Sequence, residues 1–228
     1  MGDVTNLNQF DWPGWPIDAN PFGKDFDATA RRRMVQGSQV LMPLLRKHFD
    51  QMGTTVLEIG PFFNPLVTPE AFPSFEIFYW ENDRYVVQYL QHKYQGKPAH
   101  IMFSDLNKAD GPSLLRLKLE NQQQFQALGR QQVLFDSAVV SHVFNYTDYR
   151  LLLIFLKIFL KKDGLLFINN VINYGLPVFF SDKRPTSNEE IEVTLTNTGY
   201  HIIESKLVPS PYPEHQKNAR LLIVAKNI

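Results

Sequence analysis

From Thr54 onward, short β-branched or apolar runs alternate with amphipathic stretches of about 10–15 residues, and no other feature restricts the fold so tightly. The extended runs fall at 55–59, 76–80, 99–103, 133–140, 165–169, 201–208 and 220–226. Alternation of this kind means βαβ units and a mostly parallel sheet. Right-handed crossovers narrow the topology to a doubly wound one. The last two runs have no helix between them, so they predict an antiparallel pair at one edge. The expected fold is α/β: a doubly wound, mostly parallel seven-stranded sheet ending in an antiparallel pair.

The intervening stretches carry their own signals. Residues 84–94 place Val87, Leu90 and Tyr94 on one helical face, with Asp83 as the N-cap. Residues 111–128 also read as helical, with a weaker stripe. Residues 149–160 are apolar nearly all round, the pattern of a buried helix. Asp163-Gly164 predicts a turn into the fifth strand. Ser187 with Glu190 three residues on is a capping-box signature, and Gly199 suits the position just past that helix.

Residues 1–50 differ from the rest. Phe10, Trp12, Trp15, Phe22 and Phe26 lie among Pro13, Pro16 and Pro21, an irregular segment that packs its aromatics onto something else. Residues 28–50 turn helical, with Met34, Leu41, Leu45 and Phe49 in one stripe and Pro43 dividing two helices. The chain therefore divides into an N-terminal helical and irregular arm, 1–50, that acts as a lid or cap, and a main domain, 51–228.

Composition excludes several classes. A chain of 228 residues can build a full core without staples. The absence of cysteine rules out a disulfide framework, a thiolate nucleophile and a Cys-ligated zinc site. Lys+Arg and Asp+Glu balance at 23 each, which argues against a nucleic-acid partner. The N-terminus has no secretory pattern, and the apolar run at 151–156 stops at Lys157, far short of the roughly 20 residues that span a bilayer. The expectation is a cytoplasmic protein with a small-molecule partner, no nucleic acid, no membrane and an unassigned oligomeric state.

A doubly wound sheet binds its ligand outside the carboxyl ends of its strands, so the residues following the first four strands carry the chemistry. The first strand runs into Glu58-Ile59-Gly60-Pro61-Phe62-Phe63-Asn64-Pro65. The second ends in Trp80-Glu81-Asn82-Asp83, and the third in Ser104-Asp105-Leu106. The fourth reads Phe135-Asp136-Ser137-Ala138-Val139-Val140-Ser141-His142-Val143-Phe144, and Leu160-Lys161-Lys162-Asp163-Gly164-Leu165 leads into the fifth. In this order and spacing, over residues 54–226, the chain resembles the class I S-adenosylmethionine-dependent methyltransferases.

That resemblance implies S-adenosylmethionine as cofactor, S-adenosylhomocysteine as product, and in-line methyl transfer to O or N of a small molecule. It implies a cofactor site of Glu58, Gly60, Pro61, Phe62, Glu81, Asn82, Asp105, Leu106, Ser141 and His142. Glu58 would hold the methionine ammonium through water, Glu81 the ribose and Asp105 the adenine side. Carboxylates suit these hydroxyl and amine donors, and Gly60 would let backbone approach the ligand. No metal is implied, because a sulfonium is already an excellent leaving group; the protein chiefly aligns nucleophile and methyl. His142 and Tyr146 are the candidate catalytic residues.

The sequence also departs from the family. Phe62 stands where a second glycine is usual, Asn145-Tyr146 takes the place of a frequent Glu-His pair, and no Asn-Pro-Pro-Tyr motif is present. Asn169, Asn170 and Asn173 either line an acceptor pocket or satisfy loop backbone groups. Arg31, Arg32 and Arg33 read as a solvated helix face or an anion contact. A methyltransferase-like binding protein with a silent site is the alternative function. A nicotinamide-dependent oxidoreductase is disfavoured, because the Gly-x-Gly-x-x-Gly fingerprint is missing.

Overall fold

A computed structural model describes residues 37–104, 122–129, 134–172, 181–209 and 219–228. Seven strands form one sheet: β1 (Thr55–Ile59), β2 (Glu76–Glu81), β3 (Ala99–Phe103), β4 (Phe135–Ser141), β5 (Leu160–Asn170), β6 (Tyr200–Val208) and β7 (Arg220–Asn227). The helices are α1 (Met42–Lys47), α2 (Arg84–Lys93), α3 (Tyr149–Phe159) and α4 (Asn188–Asn197), with a further helical stretch at 122–127.

Strand order is β3-β2-β1-β4-β5-β7-β6. All neighbours are parallel except β7, which inserts antiparallel between β5 and β6. The order reverses between β1 and β4, the switch point where a doubly wound sheet opens its crevice.

Period-2 alternation sends each strand's side chains to two separate cores. On one face Val56, Ile77, Tyr79, Val139, Phe167 and Val224 pack with Leu41, Leu44 and Leu45 around α1 and with Val86 and Leu90 of α2. The last part of the predicted arm thus contributes to the main core. On the other face Leu57, Phe78, Trp80, Val140 and Ile168 meet α3, and Ile191 and Leu195 of α4. Buried Phe125 of the 122–127 stretch joins the same layer.

The caps form where sequence chemistry calls for them. Asp83 accepts from the Tyr85 and Val86 amides at the start of α2. Asp148 accepts from the Leu151 amide at α3. Ser187 accepts from Glu190 N, while the Glu190 side chain accepts from Thr186 N, one residue earlier than a standard capping box.

The structure differs from expectation at β5. Strand β5 begins at Leu160, which pairs with Phe135; a register shift then leaves 161–164 without ladder partners before Leu165 stands opposite Ser137. Asp163 takes a left-handed φ of 67°. What reads as a turn in sequence is a bulge, because the parallel partner β4 draws the segment into the sheet. Asp136, near the start of β4, lies opposite this bulge and accepts from Lys161 within it. Burial alone would raise its carboxyl, but bonds from Lys161, the Thr55 hydroxyl and the Thr54 and Thr55 amides hold it down at about 2.

Candidate functional site

Strand alternation brings Glu58, Glu81, Ser141, Asn169 and Arg220 toward the outgoing end of the sheet on the face that α1 and α2 cover, in phase with Val56, Tyr79, Val139, Phe167 and Leu222. The polar chemistry lies at the switch-point end of the sheet.

Glu58 is 2% exposed. Its carboxylate accepts from Leu66 N at 2.9 and 3.1 Å and from Val67 N at 3.0 Å, which ties down the far side of the loop that follows β1. Burial pushes its carboxyl up to about 7, against the lowering effect of those two amides. Glu81 is 4% exposed. Its Oε1 accepts from Asn82 N at 2.8 Å and Asp83 N at 3.1 Å, and its Oε2 from Phe62 N at 3.0 Å. Burial pushes it too up to about 7; the three amides lower it and the neighbouring Asp83 charge raises it. A carboxylate offers about four acceptor sites, so Glu81 keeps one on Oε2 for a ligand.

Between these acids the loop turns sharply. Gly60 has φ +58°, and a Cβ there would lie 2.9 Å from Val143 Cγ2. The glycine lets the loop after β1 close against the turn after β4. Phe62 has φ 54°, a left-handed backbone that a glycine would adopt freely and that costs a side-chain-bearing residue about 1–2 kcal/mol. Its amide bond to Glu81 and its ring against Phe63, centroids 4.7 Å apart, stabilise that conformation. Pro61 is buried and Asn82 exposed.

The β4–β5 side is built differently. His142 also has a left-handed φ, 63°, and is buried. Its Nε2 lies 2.5 Å from Arg220 Nη1. A guanidinium can only donate, so Nε2 accepts and the ring hydrogen sits on Nδ1. Burial, then the Arg220 charge, holds the imidazole well below its ordinary range, so it is neutral. His142 therefore has no lone pair open for base catalysis while Arg220 stays in place. Tyr146 closes the short 3-10 turn Val143–Asn145 and is half-buried.

The chain before α1 lies over this side. Asn169 Nδ2 donates to Gly37 O at 2.9 Å and to Ser141 Oγ at 3.1 Å, and Ser38 Oγ lies 3.2 Å from Ser141 Oγ. A Cβ on Gly37 would meet the Arg220 guanidinium at 2.6 Å, so a larger residue there would displace the Arg220 side chain. Sequence reasoning missed Gly37, Ser38 and Arg220. None carries a motif, and Arg220 opens a strand otherwise read as structural.

Asp105, Leu106, Asn173, Arg31 to Arg33 and the aromatic cluster at Trp12, Trp15, Phe22 and Phe26 lie outside the described residues. Beside them, Ser104 ends the third strand's run with its amide bonded to Glu81 O and its Oγ buried without a partner. Among the described residues, no group of three His, Asp or Glu side chains is placed to hold a metal, and no helix is long and apolar enough to cross a membrane.

No family model and no curated protein matches the chain. Solved structures do match in fold. Magnesium protoporphyrin IX methyltransferase from Synechocystis PCC 6803 with bound S-adenosylhomocysteine has a TM-score of 0.59 at 12% identity, over 87% of this chain and 87% of that one. The N-methyltransferase NodS from Bradyrhizobium japonicum WM9 has a TM-score of 0.56 at 15% identity, over 89% and 98%. The 4+2 cyclase SpnF, also similar, has a TM-score of 0.59 at 10% identity, over 82% and 80%.

Proposed function

We propose, from the class I S-adenosylmethionine-dependent methyltransferase fold that this chain has, that it transfers a methyl group from S-adenosylmethionine to a small-molecule acceptor. The observation that carries this reading is Glu81: a buried carboxylate at the end of β2, beside the switch point, held by three backbone amides with one acceptor site to spare. The unpartnered Ser104 hydroxyl at the end of the neighbouring strand adds a second polar group on the adenosyl side. Both fit a nucleoside with hydroxyl and amine donors.

In this reading Glu81 accepts from one ribose hydroxyl through Oε2 without giving up its bonds to the loop. A contact to both ribose hydroxyls would require Phe62 N to let go. Glu58 acts at one remove: its carboxylate fixes Leu66 and Val67, and so the shape of the loop that faces the ligand. Gly60, Pro61, Phe62, Asn82, Asp105, Leu106, Ser141 and His142 complete the proposed cofactor site. When bound, S-adenosylmethionine supplies a methyl on a cationic sulfonium. The protein's share is to align the acceptor in line with it and to exclude water. With His142 neutral and its lone pair engaged, the transfer relies on an acceptor that is nucleophilic without a histidine base.

That same engagement of His142, with Phe62 at the glycine position, favours a second reading: a cofactor-binding protein with a silent site. SpnF, described as a cyclase, illustrates that the fold does not by itself fix the reaction. Calorimetric titration with S-adenosylmethionine, S-adenosylhomocysteine, NAD and NADP tests both. The two adenosyl ligands should bind and compete, and the nicotinamide ligands should not. Glu81→Gln should weaken adenosyl binding about tenfold, the equivalent of one charge-assisted hydrogen bond. No adenosyl binding at millimolar ligand sinks both readings; binding without release of S-adenosylhomocysteine over a broad acceptor screen selects the silent one.

A further inference from the structure

Asn145, Thr147 and Asn170 are buried at the outgoing end of β4 and β5, exposed by 0%, 4% and 1%. Asn145 Nδ2 donates to the carbonyl of Val171 at 2.8 Å, which fixes its other amide atom as an oxygen. The Asn145 carbonyl in turn accepts from Ser181 N. These bonds place the turn after β4 against the residue that follows Asn170. Yet Asn145 Oδ1, Thr147 Oγ1 and both amide atoms of Asn170 have no hydrogen-bond partner among the described residues. Exchanging O and N in Asn170 alters nothing, since neither is bonded.

Elsewhere among the described residues Asn64, Asn169 and Asn188 each leave a single amide atom unpartnered, whereas Asn170 leaves both of its own. Asn227, 5% exposed, has its Nδ2 on the Leu160 and Lys161 carbonyls and its Oδ1 on Lys157 Nζ. Native interiors pair nearly all such groups. Four unpartnered polar atoms on three residues of one strand-end cluster point to a ligand.

The inventory selects the ligand's chemistry. Asn145 Oδ1 and Asn170 Oδ1 only accept, Asn170 Nδ2 only donates, and the Thr147 hydroxyl does either. An ammonium brings donors alone, a carboxylate acceptors alone, and a hydroxyl a single donor. A primary carboxamide brings two N–H donors and a carbonyl in one small planar group. We propose that Asn145, Thr147 and Asn170 form a recognition subsite for a primary carboxamide. The assignment rests on the methyltransferase reading only in taking the bearer of that carboxamide to be the methyl acceptor.

The test uses the full chain, with benzamide, benzoate and benzyl alcohol as probes. Thermal unfolding and ligand-observed NMR are recorded for the wild type, Asn170→Leu and Thr147→Val, with S-adenosylhomocysteine titrated in parallel. Benzamide should bind and raise the Tm of the wild type, and the other two probes should not. Asn170→Leu should raise the Tm of the ligand-free protein, because it removes two buried unpartnered atoms. It should weaken benzamide about tenfold or more and leave S-adenosylhomocysteine affinity unchanged. Thr147→Val, nearly the same shape, should show the same pattern more weakly. A fall in Tm in both variants means that these groups are bonded structurally, by ordered water for instance, and overturns the subsite. Benzamide binding no better than benzoate, or not at all, overturns it too. Benzamide binding without S-adenosylhomocysteine binding keeps the subsite and removes the methyltransferase reading; the converse removes the subsite alone.

Discussion

The ends of β1 and β2 carry acids bonded to the backbone around them, with one acceptor site of Glu81 to spare, whereas the ends of β4 and β5 carry amide groups left largely unmatched. Glu58 and Glu81 together accept six hydrogen bonds from the backbone of the loops beside them. Asn145, Thr147 and Asn170 leave four polar atoms unmatched. The difference teaches how this fold divides its labour. A buried carboxylate is too costly to leave unpaired, so the acids hold a rigid loop. A buried carboxamide is cheaper to leave unmatched, so recognition can be built from such groups in advance of a ligand.

The largest effect should come from breaking the engaged side. Glu58→Ala strands the buried amides of Leu66 and Val67, at about 1–3 kcal/mol each, so chemical denaturation at pH 5 should show a loss of about 3 kcal/mol. Glu58→Gln should keep most of that stability, since Oε2 alone reaches both amides. Equal losses in the two variants would mean that one amide oxygen cannot hold both backbone amides and that both carboxyl oxygens are needed.

The next effect is in pH. Both acids are raised from 4.5 to about 7. The folded state therefore keeps protons that the unfolded chain releases, so their contribution is full below pH 4.5 and is lost as pH rises through 7. Each shift is worth about 3 kcal/mol. His142 acts in the opposite sense below its usual 6.5, because the folded protein keeps it neutral. The check is therefore the difference between wild type and Glu58→Gln or Glu81→Gln at pH 5 and pH 8. The wild type should lose more stability across that range than either variant. Adenosyl binding should strengthen over the same window, since the ionised Glu81 is the better acceptor. A wild type that gains on its variants toward pH 8 would refute the buried-acid account.

Gly60 joins the two regions. Gly60→Ala forces a left-handed Cβ toward Val143 Cγ2, at about 1–2 kcal/mol for the backbone alone. Val143→Ala in the same chain should recover only the excess above that figure, measured by a double-mutant cycle. Full recovery would place the whole cost in the contact and none in the backbone. The smallest effect is at Asp83, whose role is the cap of α2. Asp83→Ala should cost about 1 kcal/mol of stability and leave adenosyl affinity nearly unchanged. A large loss of affinity instead would move the ribose acid from Glu81 to Asp83.

Much of this molecule is legible in the sequence, because the signals are local. Short β-branched or apolar runs set the seven strands, Asp83 and Ser187 cap helices through their own neighbouring amides, and the absence of a helix between the last two strands makes them antiparallel. Glu58 and Glu81 could be placed at strand ends for the same reason. What they bond to could not, because a carboxylate's partner depends on where a loop eight residues away returns. Nor could the sequence show that β5 would begin at Leu160, since the partner that captures it belongs to β4. The His142–Arg220 contact spans 78 residues and the Asn169–Gly37 bond 132. Such pairings carry no periodicity and no motif. They exist only because a doubly wound sheet gathers the ends of distant strands at one rim, and there burial decides which polar groups find partners and which are left for a ligand.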